Sequence, residues 1–278
     1  MNYVNIGIII IAAFVISVIL TKLEIPVLKA RAGQNIREEG PESHLSKAGT
    51  PSMGGIAIII STAAAAFTAS LIWDGSMADT LIILFVFIGF GLIGFFDDYL
   101  KVIKKNNLGL RAYQKFGLQI VISVALAVFL ANYSTETTYV YIPVADIYVD
   151  FGIWYIPFIV FVVLAMTNAV NLTDGLDGLA SGVTALVTLF FAVAGVSYGL
   201  ASGSYFCAAV CGGCLGFLVF NRNPAKVFMG DTGSLALGGG LAAAAIVMKM
   251  ELFLLIVGLI YVIEALSVVL QVGYFKIT

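Results

Sequence analysis

Nine apolar stretches recur along the chain, at roughly 4–20, 56–73, 80–96, 116–131, 151–166, 179–200, 205–220, 234–248 and 252–272. A helix that crosses a bilayer needs about 17–25 mostly apolar residues. Most of these stretches reach that length, and the shorter ones do so by drawing on the polar residues beside them. No segment between them is long enough for a soluble domain, since the longest, about 21–55, is loop-sized. A content of 61% hydrophobic residues exceeds the roughly 45–50% of a water-soluble globule. The fold expected is therefore all-α: a polytopic integral membrane helix bundle of nine transmembrane helices, one domain over residues 1–278.

The first stretch follows Met-Asn-Tyr directly, with no basic leader segment and no small-residue cleavage site after Leu20. It reads as a retained helix and not as a signal peptide. Orientation comes from the bases. Lys22, Lys29, Arg31, Arg37 and Lys47 fall in the first loop, and Lys101, Lys104, Lys105, Arg111 and Lys115 in the third. Arg222 and Lys226 fall in the seventh loop and Lys276 in the tail, leaving Lys249 alone on the other side. Loops rich in lysine and arginine stay cytoplasmic. The expected topology puts the N-terminus outside and loops 21–55, 97–115, 167–178 and 221–233 inside, an asymmetry hidden by the net charge of −2.

The same bookkeeping collects five acids on the inner face: Asp97, Asp98, Asp174, Asp177 and Asp231. Carboxylates and bases crowded together suggest a site for a polyanion with a divalent cation. An acid set without histidine or thiolate suits magnesium better than zinc. Cys207, Cys211 and Cys214 lie within one apolar stretch with no acid or histidine among them, and read as small buried hydrophobes. His44 is the only histidine, so a Ser-His-Asp site has little support.

Four segments carry the chemistry. In "SHLSKAGTPSMGG" (43–55), glycines, hydroxyls and Lys47 form a turn-rich loop that suits phosphate, or simply leads into a helix. In "FFDDYLK" (95–101), Asp97 and Asp98 end an apolar run. Acids at a helix C-terminus oppose the helix dipole, so local stability does not explain them. Neighbours on a helix diverge by about 100°, so the pair divides its work. In "NAVNLTDGLDGLASG" (168–182), Asn168, Asn171, Asp174 and Asp177 recur every third residue. One N-cap accounts for one of them, not for four. In "NRNPAKVFMGDTGSLALGGG" (221–240), Asp231 lies between two glycines just before an apolar helix. Glu264, inside the ninth stretch, is a functional candidate by depth alone, or an acid that fixes helix packing.

"IREEGPESHLSKAGTPSMGG", "FFDDYLK", "NLTDGLDGLA" and "VFMGDTGSLALGG" resemble, in order, the cytoplasmic signatures of the phospho-N-acetylmuramoyl-pentapeptide transferase family. This is a branch of the bacterial polyprenyl-phosphate N-acetylhexosamine-1-phosphate transferases, and the resemblance covers essentially the whole chain. It implies transfer of phospho-MurNAc-pentapeptide from UDP-MurNAc-pentapeptide onto undecaprenyl phosphate with Mg2+, giving lipid I and UMP. It further implies a multi-pass protein of the bacterial plasma membrane, commonly a homodimer among membrane lipids, with no nucleic-acid partner. Asp97 and Asp98 would be the catalytic pair and Asp231, supported by Asp174, would hold the metal. Asn168, Asn171, Asp174, Asp177, Phe228 and Gly230 would bind the nucleotide-sugar side, and Lys47, Thr50, Lys101 and Lys115 the phosphates. The family's histidine cluster after the ninth helix, and its tenth helix, have no counterpart in these 278 residues.

Three other readings meet obstacles. A sister transferase of GlcNAc-1-phosphate fits the long first-loop signature less well. A CDP-alcohol phosphotransferase needs Ala-Arg where the chain has Ser181 and Gly182. An ion-coupled transporter would place its acids near the bilayer midplane in repeated halves, whereas here they sit at one face.

Overall fold

The computed structural model describes residues 2–31, 50–73, 75–103, 109–133 and 138–277. Among the described residues, eight helices are long and apolar enough to cross a membrane. They are α1 (Tyr3–Arg31), α2 (Gly55–Ile72), α3 (Met77–Ile103), α4 (Ala112–Tyr133), α5 (Tyr155–Thr173), α6 (Leu179–Ser197), α7 (Ala201–Asn221) and α8 (Gly230–Val247). The ninth apolar stretch is not one continuous helix. It folds as a short α9 (Phe253–Val257) and α10 (Leu259–Ile277), interrupted at Gly258, where the cap N–H returns to the Leu254 carbonyl. The first stretch, expected at 4–20, runs on to Arg31 and carries Lys22 and Lys29 on the helix itself.

Burial runs from the outer helices inward. α7 and α8 form the centre: both are buried along most of their length, and α8 is almost entirely Gly, Ala, Leu and Ile. Small residues let helix backbones approach where no hydrophobic effect drives association. A Cβ at Gly94 would run into the Asp231 carbonyl, and one at Gly55 into the backbone of Gly233. Phe90 lies against Gly239 and Phe87 against Gly240. α3 packs more extensively on α8 than on any other helix, which fixes the C-terminal end of α3 against the N-terminal end of α8.

The chain is all-α in class, and beside its helices it carries one short hairpin. β1 (Tyr139–Ile142) and β2 (Ile147–Asp150) pair antiparallel, Tyr139 opposite Asp150 and Ile142 opposite Ile147. Their β-branched and aromatic residues favour a strand; the Tyr141 and Tyr148 rings meet across the pair, tilted by 43° with centres 5.0 Å apart. The hairpin follows α4, so it lies at the end of the bundle opposite Asp97 and Asp231. Lys249 meets it there. Its Nζ donates to the Tyr139 carbonyl (3.2 Å) and the Tyr155 hydroxyl (3.1 Å), and lies 4.7 Å from the Tyr155 ring centre. Lys249 is thus held half-buried against the hairpin, and burial lowers its pKa.

Candidate active site

The helix end bearing "FFDDYLK" presents its two acids in different directions, as their helical spacing requires. Asp98 faces α8. Its Oδ1 accepts the Asp231 N–H (3.2 Å), and its Oδ2 accepts the Thr232 N–H (2.9 Å) and hydroxyl (2.7 Å). The first N–H groups of a helix have no partner within the helix. A carboxylate there satisfies them and suits the positive end of the dipole. Asp98 is therefore an N-terminal cap supplied by a different helix. Gly230, with φ of 72°, opens the turn, and a Cβ on it would lie 2.5 Å from Asp98 Oδ2.

Asp97 faces away from that contact. Its Oδ1 accepts the Leu110 N–H (2.7 Å), and its Oδ2 pairs with Lys101 Nζ (2.6 Å) and more loosely with Lys115 Nζ (3.7 Å). The same two ammonium groups reach Asp231 Oδ2, Lys101 at 2.9 Å and Lys115 at 2.8 Å. The other oxygen of Asp231 accepts from Asn171 Nδ2 (2.9 Å), which also donates to Ser234 Oγ (2.8 Å). Residues from α3, α4 and α5 thus converge on one carboxylate at the start of α8. Three carboxylates and two ammonium groups share a half-buried space, an arrangement that holds charged oxygens in fixed positions.

The remaining expected residues divide. Asp174 caps the end of α5; burial, then the charges of Asp231 and Asp98, push its carboxyl well above the usual range. Asn168 lies one turn deeper and donates to Gln119 Oε1 (3.0 Å) and the Leu164 carbonyl (2.8 Å), not to Asp231. Asp177 turns outward to accept from Asn223 Nδ2 (3.0 Å) and the Ala225 N–H (3.2 Å). It ties the segment after α5 to the segment after α7. Phe228 is half-buried between strand-like bonds, its N–H to the Pro51 carbonyl (2.8 Å) and its carbonyl to the Gly54 N–H (2.9 Å). Thr50 is half-buried just before Pro51, while Lys47 lies outside the described residues. Glu264 is half-buried on α10.

Three contributors were not anticipated. Thr232 supplies two of the donors to Asp98. Asn221 accepts from the Gly178 N–H (3.1 Å) and the Ser181 hydroxyl (3.0 Å) and donates to the Val227 carbonyl (3.0 Å), locking two loops together. Gln119 is the third. Each is an uncharged polar residue within or at the edge of an apolar run, and that was the only signal available.

Among the described residues no group of three or more histidine, cysteine, aspartate or glutamate side chains is placed to hold a metal. Asp97 and Asp231 nonetheless converge on one cation, the Lys101 ammonium, through oxygen atoms alone. Magnesium is usually held by one or two carboxylates together with substrate phosphates and water, so the donor set suits that ion arriving with a diphosphate. Beside the cluster, Phe95, Phe96, Tyr99, Leu100, Leu110 and Leu118 line an apolar groove of about 470 Å³.

These are the helices of a multi-pass membrane protein with an acid and lysine cluster at one rim. Residues 80–249 match the Glycosyl transferase family 4 model, and residues 47–59 match Phospho-N-acetylmuramoyl-pentapeptide-transferase signature 1. A phospho-N-acetylmuramoyl-pentapeptide-transferase of Clostridium perfringens (strain 13 / Type A) is 49% identical over 271 residues, covering 97% of this chain and 84% of the relative. Its namesake in Clostridium beijerinckii is 50% identical over 271 residues, covering 96% and 82%. The chain belongs to the phospho-N-acetylmuramoyl-pentapeptide-transferase family.

Proposed function

We propose that the protein transfers phospho-MurNAc-pentapeptide from UDP-MurNAc-pentapeptide to undecaprenyl phosphate, forming lipid I and UMP for peptidoglycan synthesis. The observation that carries this is the grip of Lys101, Lys115 and Asn171 on Asp231, beside Asp97 and at the membrane-facing end of α3. Phosphoryl transfer asks a protein mainly for positioning and charge neutralisation, and this cluster supplies both. Asp231, with Asp174 near it, would hold Mg2+ arriving with the donor, and the ion would neutralise pyrophosphate charge. A ninth span, formed by α9 and α10, an N-terminus outside and a site facing the cytoplasm of a bacterial cell complete the reading, with a homodimer as the assembly.

In the transfer, an oxygen of the lipid phosphate forms a bond to the sugar-bearing phosphorus of the donor. The bond from that phosphorus to the bridging oxygen breaks, and UMP leaves with the electron pair. Lys101 and Lys115 hold phosphate oxygens in line. Asp97 takes whatever proton the lipid phosphate still carries, Asp98 keeps α8 and Asp231 in place, and Phe228, Asn171 and Thr50 border the nucleotide side. The apolar groove between α3 and α4 lets a lipid lie next to the cluster without leaving the bilayer. UMP release in detergent, with both substrates present and with or without magnesium, tests the proposal; an enzyme that needs no lipid acceptor, or prefers UDP-GlcNAc, would refute it.

A further inference from the structure

Lys115 on α4 and Asn171 on α5 hold opposite oxygens of Asp231, at 2.8 and 2.9 Å. One turn deeper, Gln119 comes four residues after Lys115 and Asn168 three before Asn171, so each lies on the same helical face as its neighbour. Asn168 Nδ2 donates to Gln119 Oε1 at 3.0 Å. Among the described residues this is the one side-chain hydrogen bond that joins α4 directly to α5.

Gln119 is 1% exposed, and its Nε2 is buried with no hydrogen-bond partner among the described residues. Asn168 dictates the orientation, because turning the amide over would set two N–H donors against each other. A buried donor left without an acceptor costs about 1–3 kcal/mol. A leucine would fill similar space without that cost. What the amide adds is its acceptor, Oε1, on the helix that carries Lys115.

We propose that Gln119 is a positioning residue for the transfer. Its bond to Asn168 sets the spacing of α4 and α5, and through it where Lys115 and Asn171 hold Asp231. This rests on the reaction proposed above.

The test uses the full chain in detergent with UDP-MurNAc-pentapeptide, undecaprenyl phosphate and magnesium. Gln119→Leu and Asn168→Leu each lower kcat about tenfold, within the range of coupled contacts, while the donor KM stays within about twofold. Gln119→Leu melts close to the wild type, because the unpaired Gln119 donor is gone while Asn168 Nδ2 loses one acceptor. The double variant is no slower than the slower single, since both break one bond. A wild-type kcat in Gln119→Leu, or losses that multiply in the double variant, would overturn the proposal. A second measurement needs no substrate and so separates this idea from the reaction itself. Spin labels at Val121 on α4 and Phe161 on α5, positions 65% and 68% exposed, report the helix spacing. Gln119→Leu shifts or broadens that distance, and an unchanged distribution counts against the positioning role whatever the enzyme turns over.

Discussion

Asp98 and Thr232 form the joint on which the site turns: one carboxylate oxygen of Asp98 accepts both the backbone N–H and the hydroxyl of Thr232. Through this joint α3 caps α8, and Asp231 takes its direction from the capped turn. Asp98→Asn replaces one acceptor with an N–H that faces other donors. The expected result is a loss of at least about a hundredfold in UMP release, with a stability loss near the roughly 0.5–2 kcal/mol of a missing cap. Thr232→Val, which keeps the backbone donor, falls between this variant and the wild type. Kinetics paired with thermal melting of the same preparations checks both.

Gly94 sits where α3 and α8 touch backbone to backbone. Gly94→Ala has no flexible side chain to push aside, so its cost lies at or above the about 1–3 kcal/mol usual for overpacking. The expected variant melts several degrees lower and loses most transfer activity, because the shift falls on Asp231. Gly117→Ala, on α4 with nothing within 4 Å of the added carbon, melts at or slightly above the wild type, since alanine is the better helix former, and so controls for the substitution itself.

Glu251 carries the clearest pH dependence outside the spans. Both its carboxylate oxygens are buried without a hydrogen-bond partner among the described residues, and burial raises its pKa from 4.5 to about 7, with Lys249 opposing the rise. The folded chain therefore holds this proton more tightly than the unfolded chain. The resulting stability is fully present below about pH 4.5 and is lost as pH rises through 7, a difference of about 3 kcal/mol. Melting curves between pH 5 and pH 8 show the decline, and Glu251→Gln flattens it and melts higher at pH 8. A wild type whose melting temperature rises over that interval contradicts the assignment.

How much of this was legible beforehand follows from what polar residues stand out against. In a chain only 11% charged, Asp97, Asp98 and Asp231 were conspicuous, and their loops fell on one side by charge alone. The partition of their duties was not visible, because it depends on which way each points from a helix end. The hairpin was not legible because Tyr139–Ile142 and Ile147–Asp150 are only four residues each, too short for the alternation of aromatic and β-branched residues to stand out. Gln119 and Asn221 are single amides in apolar runs, and nothing in one sequence separates a clamp from a chance polar residue. The stray base Lys249 found its explanation only in three dimensions, through Tyr139 and Tyr155.

The proposed topology is tested at two positions on opposite ends of the bundle. Val144, at the hairpin turn and 93% exposed, belongs outside, and Arg222, just after α7, belongs inside. Cys207, Cys211 and Cys214 are buried and leave little background. In intact cells a membrane-impermeant thiol reagent labels Val144→Cys and spares Arg222→Cys until the membrane is opened. The reverse pattern would invert the protein and move the site out of reach of a cytoplasmic nucleotide donor.

The division of labour at Asp97 decides between two routes. If Asp97 attacked the donor and carried the phospho-sugar, it would need an oxygen free to approach phosphorus in line. Oδ1 is engaged by the Leu110 N–H and Oδ2 by Lys101 at 2.6 Å, and the side chain is 3% exposed. Attack from either oxygen would break a charge-assisted contact and move a buried helix end. Proton transfer asks for much less, since the acid stays where it is. The lipid phosphate is itself a capable nucleophile, because a phosphate monoester gives up its second proton near pH 6. Direct attack by the lipid is therefore expected. Incubated with donor and magnesium but no lipid, the enzyme releases no UMP in proportion to active sites and exchanges no labelled UMP into the donor. Adding undecaprenyl phosphate starts both product formation and UMP release together. Asp97→Asn slows that combined step and flattens its dependence on pH below about 6, where the lipid still carries the proton. Stoichiometric UMP release before lipid is added, lost in Asp97→Asn, would establish the covalent route instead.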